Sequence, residues 1–204
     1  MESLEYGRIY HIFSKGVNGC NLFYTNNNYR HFLRLYEKYI DPVAETYAWA
    51  LLGNHFHFLV RIKEEHDINL NQLPRPVHCC EDYIPNLKKI HLYFSDLLNS
   101  YAQSINKQEN RTGTLFERPF RRLHVDNHTY LRNLVLYIHN NPVRHGFTND
   151  HKDYPWSSYG TIITLNKAAP FCERVIGWFN GKGEFINSHL RMDSSELISK
   201  YIIE

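Results

Sequence analysis

Glu45–Ile62 reads ETYAWALLGNHFHFLVRI. Two runs rich in aromatic and branched residues, Glu45–Leu52 and Phe56–Ile62, flank Gly53–Asn54, and a two-residue link suits a tight antiparallel hairpin. Alternation along the second run sends Phe56 and Phe58 toward a core. His55 and His57 share the opposite face, roughly 6.5–7 Å apart at Cα. Two imidazoles on one face can converge on one metal ion. They can equally be two polar residues on a solvated sheet face, and the hairpin alone leaves both readings open.

Working outward, Gly7–Lys15 (GRIYHIFSK) alternates around Ile9, His11 and Phe13 and reads as a strand. Gly16, Gly19 and Asn26–Asn28 read as turn chemistry. Phe32, Leu35, Tyr36 and Tyr39 recur at helical spacing, and Pro42 closes that helix. After the hairpin, Lys63–Leu87 holds Pro74, Pro76, Pro85 and scattered charge, and reads as a loop or insertion. A second helix is expected from about Lys88 to Gln108, with Leu92, Leu97, Tyr101 and Ile105 as its stripe. A strand is expected around Arg121–Val125. A third helix is expected to start at the Asp126–Asn127 cap and to run to about Asn140, with Pro142 ending it. Beyond Tyr159 the tail, with Trp178 and Phe179, reads as helical or irregular. The order strand, helix, strand, strand, helix, strand, helix implies an α+β fold. It is a ferredoxin-like antiparallel sheet with helices returning over one face.

The chain has 204 residues, 43% of them hydrophobic and 22% charged, which suits about one globular domain. Its formal charge of +2 announces no polyanion partner. From Lys107 to Arg144, however, Lys107, Arg111, Arg118, Arg121, Arg122, Arg132 and Arg144 face only Glu109, Glu117 and Asp126. Phe116 and Phe120 are interleaved with them. Arginine forks match phosphate geometry, and aromatic faces stack unpaired bases; a solvated charged surface is the plain alternative. Cys20, Cys79, Cys80 and Cys172 show no CxxC spacing and read as reduced thiols of a cytoplasmic protein. Met1–Tyr6 has no apolar signal-peptide core, and no apolar run reaches the roughly 18 residues of a membrane span.

On the third helix Tyr137 and Asn141 stand at i and i+4, so a phenol and an amide oxygen project together. A tyrosine among Leu134, Val135 and Ile138 is more commonly core, and Asn before Pro commonly ends a helix.

Five segments together resemble the REP-associated tyrosine transposases, a branch of the single-tyrosine HUH transposase superfamily. They are Tyr10–Gly16 (YHIFSKG), Gly53–Val60 (GNHFHFLV), Arg111–Phe120 (RTGTLFERPF), Tyr137–Gly146 (YIHNNPVRHG) and Asp153–Tyr159 (DYPWSSY). The likeness spans roughly Tyr6 to Tyr159. It implies a catalytic domain over residues 1–160; the insertion near 63–87 and residues 161–204, read as an extension of the same domain, lie outside the likeness. It implies that His55, His57 and Asn141 bind a divalent metal, Mg²⁺ or Mn²⁺, and that Tyr137 is the nucleophile. It implies cleavage and strand transfer of single-stranded DNA carrying a hairpin, through a 5′-phosphotyrosine. DNA contacts are expected at Lys15, Arg118, Arg121 and Arg122, although Lys15 stands where this family more usually has Arg. Homodimers are common in the superfamily, whereas this branch is more often linked with monomers. A nucleic-acid-binding module that no longer cuts is the alternative from another class.

Overall fold

The computed structural model describes residues 3–75, 86–164 and 171–191. Four strands, β1 (Ile9–Lys15), β2 (Ala44–Leu52), β3 (His55–Ile62) and β4 (Arg121–His124), form one antiparallel sheet in the order β2-β3-β1-β4. Helix α1 (Asn26–Tyr39) connects β1 to β2, and α2 (Ile90–Gln108) connects β3 to β4. This is the ferredoxin-like α+β arrangement that the element order implies. It places the histidine-bearing strand β3 inside the sheet.

The pleat of β3 divides two cores. Phe56, Phe58, Val60 and Ile62 pack with α1 and α2, where Tyr36 stacks on Phe58 at 4.2 Å between ring centroids. On the other face Leu59, Ala48 and Ala50 pack against α3 (His128–Arg144), through Leu131, Leu134, Val135 and Ile138. Three further helices, α4 (Tyr159–Ile163), α5 (Phe171–Trp178) and α6 (Lys182–Arg191), extend this second layer. Helices therefore cover both faces of the sheet, not one. The reason is visible in β3, where His57 and Leu59 are as buried as Phe56 and Phe58. A sheet with closely packed side chains on both faces needs a layer on each.

β2 alternates between both cores, and a bulge switches which of its positions face which core. Its register with β3 shifts between Thr46 and Ala48, so Tyr47 is an extra residue. Thr46, before the bulge, bonds to Tyr36 of α1 at 2.7 Å, whereas Ala48 and Ala50, after it, face α3.

Local corrections follow from tertiary contacts. Asn26–Asn28 is the first turn of α1, not a loop. Asn28 Oδ1 accepts the Thr25 and Tyr24 amides at 2.9 and 3.0 Å, and its Nδ2 reaches Gln108 on α2 at 2.8 Å. Pro142 lies inside α3, which runs on to Arg144. The ring forfeits one backbone hydrogen bond, but Pro142 is buried beside Asn141 and Ile138, and that packing holds the last turn. The Asn127 cap is as expected, with Oδ1 accepting the Tyr130 amide at 2.8 Å. Leu92 is exposed, and the buried stripe of α2 uses Tyr93, Phe94, Leu97, Leu98, Tyr101 and Ile105. Two short helical turns, Glu65–Asp67 and Leu70–Gln72, begin the insertion. Pro76, Cys79, Cys80 and Pro85 lie outside the described residues. Among the described residues, no helix is long and apolar enough to cross a membrane.

Candidate metal and nucleophile site

The hairpin turn sets the site. The Gly53 carbonyl accepts the Leu22 and Phe23 amides at 2.7 and 3.0 Å, and the Asn54 carbonyl accepts the Gly16 amide at 2.8 Å. Gly16 must be glycine here, because a Cβ would sit 2.0 Å from the Cys20 carbonyl oxygen. The turn thus fixes where β3 begins and where its first residue, His55, points.

Each histidine ring is held through Nδ1. His55 Nδ1 is 2.7 Å from Asn54 Oδ1, which can only accept, so Nδ1 carries the proton and Nε2 carries a lone pair. That Nε2 lies 3.4 Å from Asn141 Oδ1, on the last turns of α3. His57 Nδ1 lies 2.9 Å from His11 Nε2. The His57 Nε2 atom is buried and has no hydrogen-bond partner. The His55 and His57 rings are 5.3 Å apart, nearly perpendicular.

The chemistry of this set suits a divalent cation: two imidazole rings 5.3 Å apart, an amide oxygen 3.4 Å from His55 Nε2, and a buried His57 Nε2 left unsatisfied. Among the described residues, no group of three or more His, Cys, Asp or Glu is arranged to hold a metal ion, so a cation here would depend on the Asn141 amide oxygen beside the two imidazoles. Burial foremost, with repulsion between a protonated His57 and the neighbouring His11, His55, His145 and Arg144 side chains adding to it, pushes the His57 pKa well below its ordinary value. Burial alone drives His11 down to about 3. Both rings are therefore neutral near pH 7, the form a metal ligand requires.

Tyr137 sits one turn before Asn141 on α3. Its ring meets His57 edge-on at 5.5 Å and His11 edge-on at 6.3 Å. The Arg144 guanidinium lies 5.5 Å from the ring centroid. Tyr137 is only 3% exposed. It does not line the cavity of about 200 Å³ into which His55, His57, His145, Phe13, Lys15 and Arg121 project.

The four expected DNA contacts fall into two groups. Lys15 and Arg121 border the histidine cavity, and Lys15 also makes a solvent-exposed ion pair with Glu117 at 3.8 Å. Arg118 and Arg122 line a different groove, of about 610 Å³, between α2 and residues 113–122. There Arg118 bonds to Asn99 at 2.8 Å and Arg122 lies 5.3 Å from the Phe120 ring. The pleat explains the split: Arg121 is opposite Phe13, on the histidine face, whereas Arg122 is opposite Ile12.

Three residues that the sequence did not single out belong to this neighbourhood. His145, whose ring is 4.7 Å from His55, follows α3 directly. His11 and Arg144 are the others. All three lie inside quoted segments, YHIFSKG and YIHNNPVRHG, but only the fold brings them beside His55 and His57. A separate buried chain runs from the same helix to α6. Ser158 Oγ, His139 and His189 are linked at 2.8 and 2.9 Å, and His189 Nδ1 donates to the Phe185 carbonyl at 2.7 Å.

No family model matches the chain. A Haemophilus influenzae protein that carries the name REP-associated tyrosine transposase is 27% identical over 117 residues, 56% of this chain. The match spans 58% of that protein's length. The solved structure of a REP-associated tyrosine transposase bound to a REP hairpin aligns with a TM-score of 0.57 at 16% identity, over 84% of this chain and 87% of that one. A bacterial tRNA(His) guanylyltransferase-like protein in complex with GTP aligns over 73% of each chain, with a TM-score of 0.41 at 9% identity. In sequence and in fold, this chain is similar to the REP-associated tyrosine transposases.

Proposed function

We propose that this protein is a transposase that cuts and rejoins single-stranded DNA bearing a hairpin, using Tyr137 as nucleophile. The carrying observation is the convergence of His55 Nε2, the unsatisfied His57 Nε2, Asn141 Oδ1 and the Tyr137 ring on one face of the sheet. Mg²⁺ or Mn²⁺ on His55, His57 and Asn141 would supply Lewis-acid stabilisation of charge on the scissile phosphate. The Tyr137 oxygen attacks phosphorus in line, losing its proton. The bond from phosphorus to the 3′ oxygen breaks, and that oxygen takes up a proton. A 5′-phosphotyrosine and a free 3′-OH result. The ester energy is kept, so a second 3′-OH can rejoin the strand without ATP. Lys15 and Arg121, at the cavity, would hold flanking phosphates. Arg118 and Arg122 would hold DNA beyond the cavity. An unpaired strand suits the site because a stacked duplex hides the phosphate from in-line attack.

Tyr137 and His57 lie close together within a single chain, which supports a site completed in cis rather than by a second copy in a homodimer. Residues 171–191 pack on α3 and β2, for example through the 2.6 Å contact of Arg174 with Glu45, which supports the tail as an extension of the same domain. Cys20 is a free thiol, in keeping with a cytoplasmic location.

A second reading, a nucleic-acid-binding module that no longer cuts, is favoured by the burial of Tyr137. One experiment separates the two. A labelled single-stranded hairpin library is incubated with the protein and Mg²⁺ or Mn²⁺ and run on a denaturing gel. The transposase reading expects a metal-dependent covalent adduct, lost in Tyr137→Phe and His57→Ala. Salt-sensitive binding on a native gel, with no adduct under either metal, would establish the binding module instead.

A further inference from the structure

We propose that His11 is a positioning residue for His57: it accepts the His57 Nδ1 proton and so fixes the tautomer in which the Nε2 lone pair is presented to a metal ion. The inference rests on the reading of His55, His57 and Asn141 as ligands.

The 2.9 Å contact between His57 Nδ1 and His11 Nε2 admits two arrangements. In one, His57 donates from Nδ1 and its Nε2 carries a lone pair. In the other, His11 donates, and His57 carries its proton on Nε2. That Nε2 is buried and has no acceptor, so a proton placed there would satisfy nothing and would block coordination. Only the first arrangement makes His57 a ligand. His55 has the matching arrangement through Asn54 Oδ1 at 2.7 Å. Both rings are therefore oriented in the same way, each by a neighbour that accepts from Nδ1.

The packing holds His11 in place for this. The β1–β3 register sets Phe13 opposite His57 and His11 opposite Leu59, so His11 is the diagonal neighbour of His57 on the same face. The His11 ring stacks on Phe13 at 4.6 Å, Phe13 stacks on His57 at 5.7 Å, and Tyr137 closes the edge of His11 at 6.3 Å. His11 is 2% exposed. The usual partner behind a metal-bound histidine is a carboxylate or a backbone carbonyl. An imidazole in that place orients the ligand without adding negative charge.

The test reads the proton directly. Long-range proton–nitrogen correlation spectra of ¹⁵N-labelled metal-free protein report which His57 nitrogen is protonated. Calorimetric titration with Mn²⁺ then compares wild type with His11→Gln and His11→Leu, each checked for folding by thermal melting. The expected result is a His57 proton on Nδ1. Mn²⁺ affinity in His11→Gln, whose amide oxygen can still accept, should stay within a few-fold of wild type. His11→Leu should lose about 10- to 100-fold in affinity and move the His57 proton to Nε2. A wild-type proton on Nε2 would overturn the inference, as would a folded His11→Leu variant that binds Mn²⁺ like wild type. Should His11→Leu not fold, the wild-type proton position still decides. Wild-type protein that binds no Mn²⁺ would sink the ligand reading itself, and the His57 proton position would then judge the His11 hydrogen bond separately.

Discussion

At the residue scale, the site turns on which nitrogen of each ring is occupied. His55 and His57 both engage a neighbour through Nδ1 and leave Nε2 beside the Asn141 amide or without a partner. Asn141 is fully buried in the last turns of α3, so its side chain cannot swing away to water. Asn141→Ala should therefore weaken Mn²⁺ binding by at least ten-fold in a calorimetric titration, and unchanged affinity would remove Asn141 from the ligand set. The split of the arginines makes a second prediction. Arg121→Ala should lower the rate of adduct formation at saturating DNA, because Arg121 borders the histidine cavity. Arg122→Ala, across the sheet, should weaken binding and flatten its salt dependence while sparing that rate. The histidine pair was legible in the sequence from alternation in β3 alone. His11, Arg144 and His145 were not, since a lone histidine or arginine in a strand or helix looks the same whether it faces solvent or a ligand.

At the element scale, α3 carries Tyr137, Asn141 and His139 on one rod, and its start is pinned by one side chain. Asn127→Ala removes the acceptor for the Tyr130 amide and should cost about 1 kcal/mol. In a chain of this length that is a fall of about 2–4 °C in Tm, readable by calorimetry. Strand and helix positions were largely legible because period-two and period-3.6 patterns are local. The departures have specific causes. Asn26–Asn28 becomes helical because Asn28 caps the backbone at Thr25 and ties α1 to α2. Pro142 stays in α3 because its burial offsets one missing hydrogen bond. The bulge at Tyr47 switches the faces of the β2 residues on either side of it, and no periodicity announces it.

At the scale of the whole molecule, two layers of helices compress the sheet and bury several imidazoles. Burial drives His189 to about 3, against the opposing effect of its bond to the Phe185 carbonyl. Burial also holds His139 well below its ordinary value, with the neighbouring His189 and His151 adding to the effect. The unfolded chain takes up these protons below about pH 6.5, and the folded chain does not until much lower pH. Their contribution to stability is therefore intact above pH 6.5 and is lost progressively as pH falls below it. Urea midpoints at pH 7.5, 6 and 5 should fall in that order. His189→Gln should flatten the trend, and an equal slope in that variant would count against the buried chain as its source.

Taken alone, the sequence determined the strand and helix order, the α+β ferredoxin-like class, and the pairing of His55 with His57. Each of these follows from the spacing of residues close together in the chain, where the pleat and the helical repeat fix direction. The tertiary structure alone decided that helices cover both faces, that Arg121 and Arg122 part company across β4, and that His11 meets His57. Those outcomes depend on β1 pairing with both β3 and β4, and on α3 folding back over the sheet. Both are contacts between residues tens of positions apart, and local patterning carries no information about them.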